Sequence, residues 1–169
     1  ILLIDNLDSF TLNIAHAMAG LSHNVTVISG RGEFADKMST PSSLFGLLEK
    51  MNPSHIIIGP GPGTPSDSLL SKAVSLHSLA GQIDCPILGI CLGHQSLAAA
   101  EQGIVKKSPN GAIHGTPTIC HHDGDGIFAG LESPQLFTRY NSLTIEIDSS
   151  NSQMLITAKD DNGEIMALR

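Results

Sequence analysis

The sequence predicts an α/β fold: a three-layer, doubly wound, mostly parallel sheet with helices on both faces and an antiparallel extension at one edge. Three observations carry this. From Ile1 to Gln102, short apolar runs alternate with stretches of helical periodicity, the pattern of a parallel sheet with crossover helices. A run such as Ile56-Ile57-Ile58 is apolar at every position, as a strand covered on both faces must be. After Gly103 the alternation stops, and strand-like segments follow one another without long helices between them.

Residues 1–4 form the first buried strand. Residues 9–21 place Phe10, Ile14, Ala17, Met18 and Leu21 at helical spacing, with Asp8 or Ser9 suited to cap them. Residues 25–28 predict the second strand. Residues 42–51 predict a helix with Leu44, Leu47 and Leu48 inward. Residues 56–58 predict the third strand, and residues 68–80 a helix carrying Leu69, Leu70, Ala73, Val74, His77 and Leu79. The fourth strand is residues 86–90, and its helix is 92–102. Residues 113–119, 135–139, 154–158 and 164–168 then read as the antiparallel strands, all within one domain, 1–169.

A length of 169 residues suits one domain with a real core. No apolar run reaches the roughly 18 residues that span a bilayer, so no membrane partner is expected. The early apolar stretch stops at Asp5 and makes no signal-peptide pattern. A net charge of −7 argues against a nucleic-acid surface. Three cysteines with no CxxC pair fit a reducing, cytoplasmic compartment. With no Trp and Tyr140 as the only tyrosine, aromatic stacking of a cofactor has little to work with, and no cofactor is expected.

The chemistry concentrates at Gly89-Ile90-Cys91-Leu92-Gly93-His94-Gln95. Small residues two before and two after a nucleophile are what a sharp strand-to-helix turn requires, because larger flanks would clash. Such an elbow places the sulfur at a helix N-terminus, whose partial positive charge favours thiolate. The plainer alternative, a buried core cysteine, does not account for the two glycines. Pro60-Gly61-Pro62-Gly63-Thr64-Pro65 follows the third strand. It can neither pair in a sheet nor continue a helix, but it can present bare N–H groups. The N–H groups of Gly61 and Leu92 are therefore candidates for an oxyanion hole. An ordinary tight connection is the alternative for this loop taken alone.

The chain resembles class I glutamine amidotransferases of the anthranilate synthase component II and aminodeoxychorismate synthase type. The resemblance rests on Leu3-Ile4-Asp5-Asn6, Asp8-Ser9-Phe10-Thr11 with Asn13, the Pro60–Pro65 loop and the Cys91 elbow. It continues through His114-Gly115, His121-His122-Asp123-Gly124, Phe128-Ala129-Gly130-Leu131, Arg139-Tyr140, Ser142-Leu143 and Gly163-Glu164-Ile165-Met166. It implies a flavodoxin-like fold and hydrolysis of L-glutamine through a Cys91 thioester. It also implies ammonia transfer to a chorismate-binding synthase subunit or fused domain, leaving open whether the product is anthranilate or aminodeoxychorismate. Cys91, Gly61 and Leu92 would be catalytic. Gly61, Pro62, Gly63, Gln95, Ser142 and Leu143 would bind glutamine. Gln95 lies one helical turn past Cys91; outside the resemblance it would read as a capping or surface glutamine.

Two departures stand out. The family base is a His followed by Pro and Glu, and no His-Pro-Glu occurs here; none of the eight histidines matches it. His94 neighbours Cys91, but its ring should point away from the thiol. The expectation is a piece of a longer chain whose C-terminal strand–helix segment carries the base, poorly active by itself. A chain natively ending at Arg169 would instead be a non-catalytic glutamine- or partner-binding subunit. A cysteine hydrolase acting on γ-glutamyl peptides is a further alternative, against which Gln95 and Ser142-Leu143 weigh. The second departure is Asn141, where this branch carries His. Cys120-His121-His122-Asp123 offers four potential ligands in a row, but adjacent strand residues face opposite sides, so no metal site is expected. Asp67 and Asp84 read as solvated loop residues.

Overall fold

The computed structural model describes residues 1–21 and 23–169 and divides into two compact units, Ile1–Ala100 and Glu101–Arg169. In the first, a four-stranded parallel sheet runs in the order β2-β1-β3-β4, from Leu2–Asp5 (β1), Thr26–Ser29 (β2), Ile56–Ile58 (β3) and Ile87–Gly89 (β4). Leu3 pairs with both Val27 and Ile57, and Ile57 with Leu88. Its helices are α1 (Thr11–Gly20), α2 (Gly32–Met38), α3 (Pro41–Met51), α4 (Leu69–Leu79) and α5 (Leu92–Ala100).

Alternation along the strands sends side chains to both faces. Leu2, Ile4, Ile56 and Ile58 pack with Ala35 of α2, Leu44 of α3, and Leu70, Ala73 and Val74 of α4. Leu3 and Ile57 face the other way, onto Ile14 and Ala15 of α1. Helices therefore cover both faces, as predicted. The inward stripe of α1 is Thr11, Ile14 and Ala15, whereas Phe10 and Leu21 are exposed. Neither Asp8 nor Ser9 caps the helix as expected: Phe10 is its N-cap without a side-chain bond, and Asp8 accepts the Phe10 N–H at 2.8 Å in the turn just ahead. Pro41 opens α3, and Asn52 closes it with φ +41°, its N–H reaching the Leu48 carbonyl at 2.7 Å. Leu69, one of the apolar residues this helix carries, is exposed, and Ser71 and Ser75 take buried positions on α4.

The second unit holds β5 (Ile104–Lys107), β6 (Ile113–His122), β7 (Gln135–Asn141), β8 (Leu143–Glu146), β9 (Ile156–Asp160) and β10 (Ile165–Leu168). They form two antiparallel ladders, β10-β9-β6-β7 and β5-β8. A small apolar cluster of Phe128, Ala158 and Ala167 and a buried ion network share its interior. The Arg139 guanidinium is enclosed between Asp160, at 2.6 Å, and Glu164. Glu164 also accepts a hydrogen bond from the Ser108 hydroxyl. Burial pushes the Glu164 carboxyl up, but the hydrogen bonds from Ser108 and Arg139 outweigh it and hold it below the usual value. No helix among the described residues is long and apolar enough to cross a membrane.

Candidate active site

Cys91 joins β4 to α5 with φ +53°, a left-handed conformation that costs an L-residue of order 1 kcal/mol or more. Two glycines make room for it. A Cβ on Gly89 would lie 2.5 Å from the Gly93 carbonyl carbon, and one on Gly93 would lie 2.0 Å from the Ile58 carbonyl oxygen. Any side chain at either position would push α5 off β3 and β4. The turn is stitched by Ile90 N–H to the Ile58 carbonyl at 2.9 Å and Gln95 N–H to the Cys91 carbonyl at 3.0 Å.

The Cys91 sulfur is half-buried and accepts hydrogen bonds from the N–H groups of Leu92 and Gly61. The two donors picked from sequence therefore converge on one atom. Burial pushes the thiol up, and the Asp8 carboxylate adds to this; the two N–H donors pull the other way without cancelling it. The thiol thus stands above its ordinary value, which corrects the expectation that the helix N-terminus tilts it towards thiolate. The N–H contribution is present, but desolvation inside the elbow exceeds it.

Gly61, Pro62 and Gly63 form a braced loop. The Arg31 guanidinium donates to the Pro62 carbonyl. Asp67 accepts the Thr64 N–H at 2.7 Å and its hydroxyl at 2.9 Å, closing a capping box around a 3-10 turn, Pro65–Asp67. These hydrogen bonds, the backbone one foremost, hold the Asp67 carboxyl below its usual value. Asp67 is therefore a brace rather than a merely solvated residue. Gly63 has φ +78° where it passes over that carboxylate, a conformation glycine adopts freely.

Gln95 is buried on α5, one turn past Cys91, and is not the surface glutamine that the isolated sequence allowed. His94 is half-buried as a residue, with its ring turned inward. Desolvation alone lowers its pKa to about 4, and its Nε2 is enclosed without a partner among the described residues. A ring so placed is neutral at pH 7 and poorly suited to exchange protons with a thiol.

Ser142 and Leu143 belong to the second unit, at the β7–β8 junction. The Ser142 carbonyl accepts the Ser108 N–H at 3.1 Å, and its hydroxyl lies 3.2 Å from His114 Nε2. The His114 ring stacks on Tyr140. Asn141 bridges the segment: its Oδ1 accepts from Arg139 Nε at 3.1 Å, and its Nδ2 donates to the Leu143 carbonyl at 3.0 Å. Asn141 thus ties Leu143 to the buried Arg139. The Cys120–Asp123 run diverges. His121 pairs with Asp161 at 2.8 Å, while His122 reaches the Glu132 carbonyl at 3.0 Å and stacks on Phe128. Among the described residues, no three His, Cys, Asp or Glu side chains gather as metal ligands would.

Sequence reasoning passed over Asn6, Arg31 and Arg139 as supports of these segments. The partners of Asn6 and the carboxylates that enclose Arg139 are distant along the chain.

The class I glutamine amidotransferase family model matches residues 2–169. The anthranilate synthase component 2 of Porphyra purpurea is 41% identical over 169 residues, covering 100% of this chain and 82% of that protein. The aminodeoxychorismate synthase component 2 of Escherichia coli (strain K12) is 38% identical over 169 residues, covering 100% of this chain and 83% of that one. The bifunctional protein TrpGD of Thermotoga maritima is 36% identical, again over 100% of this chain but 27% of its own length. A solved glutamine amidotransferase from Thermotoga maritima shares the fold at a TM-score of 0.74 and 14% identity, covering 99% of this chain and 70% of that one. With the family model spanning all but one residue, this chain belongs to the class I glutamine amidotransferase family.

Proposed function

We propose that this chain is the glutamine-hydrolysing component of a synthase that aminates chorismate, to anthranilate or aminodeoxychorismate. One observation carries the reading: Cys91 stands on a left-handed elbow with the N–H groups of Leu92 and Gly61 both directed at its sulfur. The names of its relatives support the setting: those from Porphyra purpurea and Escherichia coli are component 2 of such synthases, and TrpGD is a bifunctional protein.

The sulfur attacks the carboxamide carbon of glutamine. Charge develops on the amide oxygen, which takes over the Leu92 and Gly61 N–H donors. The C–N bond then breaks, the thiol proton ends on the departing nitrogen, and ammonia leaves behind a thioester. Water cleaves the thioester to glutamate and restores the thiol. Gln95, one turn along α5, hydrogen-bonds the substrate, and the Gly61-Pro62-Gly63 backbone lines its position. Ser142 and Leu143 are assigned to glutamine binding on the family resemblance alone. Free ammonia would be protonated in water, so the synthase subunit, or a fused synthase domain, receives it directly.

The test is ammonia release from L-glutamine by the full-length protein mixed with its chorismate-binding partner. Cys91→Ser should lower the rate by about a thousandfold or more. Ammonia release by Cys91→Ser at more than a tenth of the wild-type rate would overturn the assignment.

A further inference from the structure

We propose that Asn6 is a positioning residue that fixes the oxyanion loop, and so the Gly61 N–H, relative to Cys91. This rests on the glutaminase reading of Cys91 and extends it to a residue that acts through the Gly61 backbone.

Asn6 follows β1 directly and is fully buried. Its Nδ2 donates to the Gly59 carbonyl at 2.9 Å. Its Oδ1 accepts from the Ser68 hydroxyl at 2.6 Å and the Ser71 hydroxyl at 2.9 Å. The Ser68 hydroxyl also lies 2.9 Å from the Gly30 carbonyl. One amide therefore joins the end of β1, the exit of β3 and the first turn of α4, with the end of β2 reached through Ser68.

The same residue abuts Gly61. A Cβ on Gly61 would lie 2.5 Å from the Asn6 Cβ and 2.5 Å from the Asn6 carbonyl oxygen. The Gly61 backbone thus rests directly on Asn6, and two residues upstream the Gly59 carbonyl is pinned by its side chain. Between these points the chain has no slack in which to turn the Gly61 N–H away from the sulfur.

The chemistry of the pocket selects an amide. The Gly59 carbonyl can only accept, so a donor must face it, and the two serine hydroxyls find an acceptor in the Asn6 Oδ1. Asparagine supplies both on one rigid plane. A carboxylate would set charge against the Gly59 carbonyl, and an apolar side chain would leave buried polar groups unpaired. An oxyanion donor works because it is fixed before the charge appears.

The experiment compares full-length wild-type, Asn6→Ala and Ser71→Ala proteins, each with the synthase partner. It measures kcat and KM for L-glutamine and, separately, hydrogen exchange at the Gly61 amide. Asn6→Ala should lower kcat about 10- to 100-fold with KM within about threefold, and Gly61 exchange should quicken at least about tenfold while the Leu3 and Ile57 amides change less. Ser71→Ala removes one of the two donors to Oδ1 and should give a smaller shift in the same direction; it decides the matter if Asn6→Ala fails to fold. A merely structural role would raise exchange throughout β1 and β3 equally and leave kcat per folded molecule unchanged, and that result overturns the proposal. So does a folded Asn6→Ala protein with kcat within twofold of wild type and unchanged Gly61 exchange. If the wild type releases no ammonia, the glutaminase reading fails instead, and Gly61 exchange alone judges Asn6.

Discussion

Lowering the pH from 7 to 4 should destabilise the folded chain by about 3 kcal/mol through His94 alone. The ring is buried beside the elbow, and burial by itself brings its pKa from an ordinary 6.5 to about 4. Between these two values the unfolded chain binds a proton that the folded chain refuses, so acid favours unfolding. The penalty is absent above about pH 7, grows as the pH falls through 6.5, and is complete below about 4. A drop from 6.5 to about 4, at about 1.4 kcal/mol per tenfold, gives about 3.5 kcal/mol in full, of which about 3 kcal/mol is reached at pH 4. The perturbation that isolates it is His94→Leu, of similar bulk and unable to titrate. Urea unfolding of both proteins at pH 7, 6, 5 and 4 yields the stability gap between them, from which the shared carboxylates cancel. The substitution also removes an enclosed Nε2 that has no partner among the described residues, which should favour the variant by about 1 kcal/mol at pH 7. The gap should then widen towards 4 kcal/mol at pH 4. A gap constant within about 0.5 kcal/mol across the series, or a ring-proton titration midpoint near 6.5, would refute the reasoning.

Gly93→Ala should abolish ammonia release and cost several kcal/mol, since its Cβ would sit 2.0 Å from the Ile58 carbonyl oxygen; circular dichroism and urea titration check this. Arg139→Met leaves the Asp160 and Glu164 carboxylates enclosed without their cation and should destabilise by about 3–5 kcal/mol at pH 7. Because Glu164 is held below its usual 4.5, its contribution is present above that pH and is lost as the pH falls through the folded value, so the Arg139→Met deficit should shrink in acid. Asp8→Asn removes a charge that raises the Cys91 thiol and should speed its alkylation by iodoacetamide at pH 7; an unchanged or slower rate contradicts the electrostatic account.

The parallel sheet was legible because Leu2 to Ile4 and Ile56 to Ile58 are apolar at every position, a local signal that needs no partner to be read. The seven residues of α2 were not legible, since Gly32 to Met38 bury only Ala35 and show no stripe. Strand β5 was hidden because Ile104-Val105 runs into two lysines, and β8 because Leu143 to Glu146 is too short to stand out from the preceding strand. At the site, the Cys91 elbow and its glycines were visible because their requirement is steric and lies within five residues. The direction of the Cys91 pKa was not, for a helix N-terminus can be located along a sequence whereas the burial opposing it cannot. Asn6 and Arg31 escaped for a related reason: their function lies in partners tens of residues away, and no spacing rule connects Asn6 with Ser68 or Arg31 with Pro62.

That long reach has a kinetic consequence. The bonds of Asn6 close sequence separations of 53, 62 and 65 residues, and no local hairpin or single helical turn can make any of them. Contacts so distant pay their loop-closure entropy early and return it late. The order of assembly is thereby set: β1, β3 and α4 must dock before the amide finds its three partners, so the chain acquires its sheet before it acquires its chemistry. A newly made or refolding molecule would thus show native-like secondary structure ahead of a settled Pro60–Pro65 loop, and regain of ammonia release would lag regain of helix.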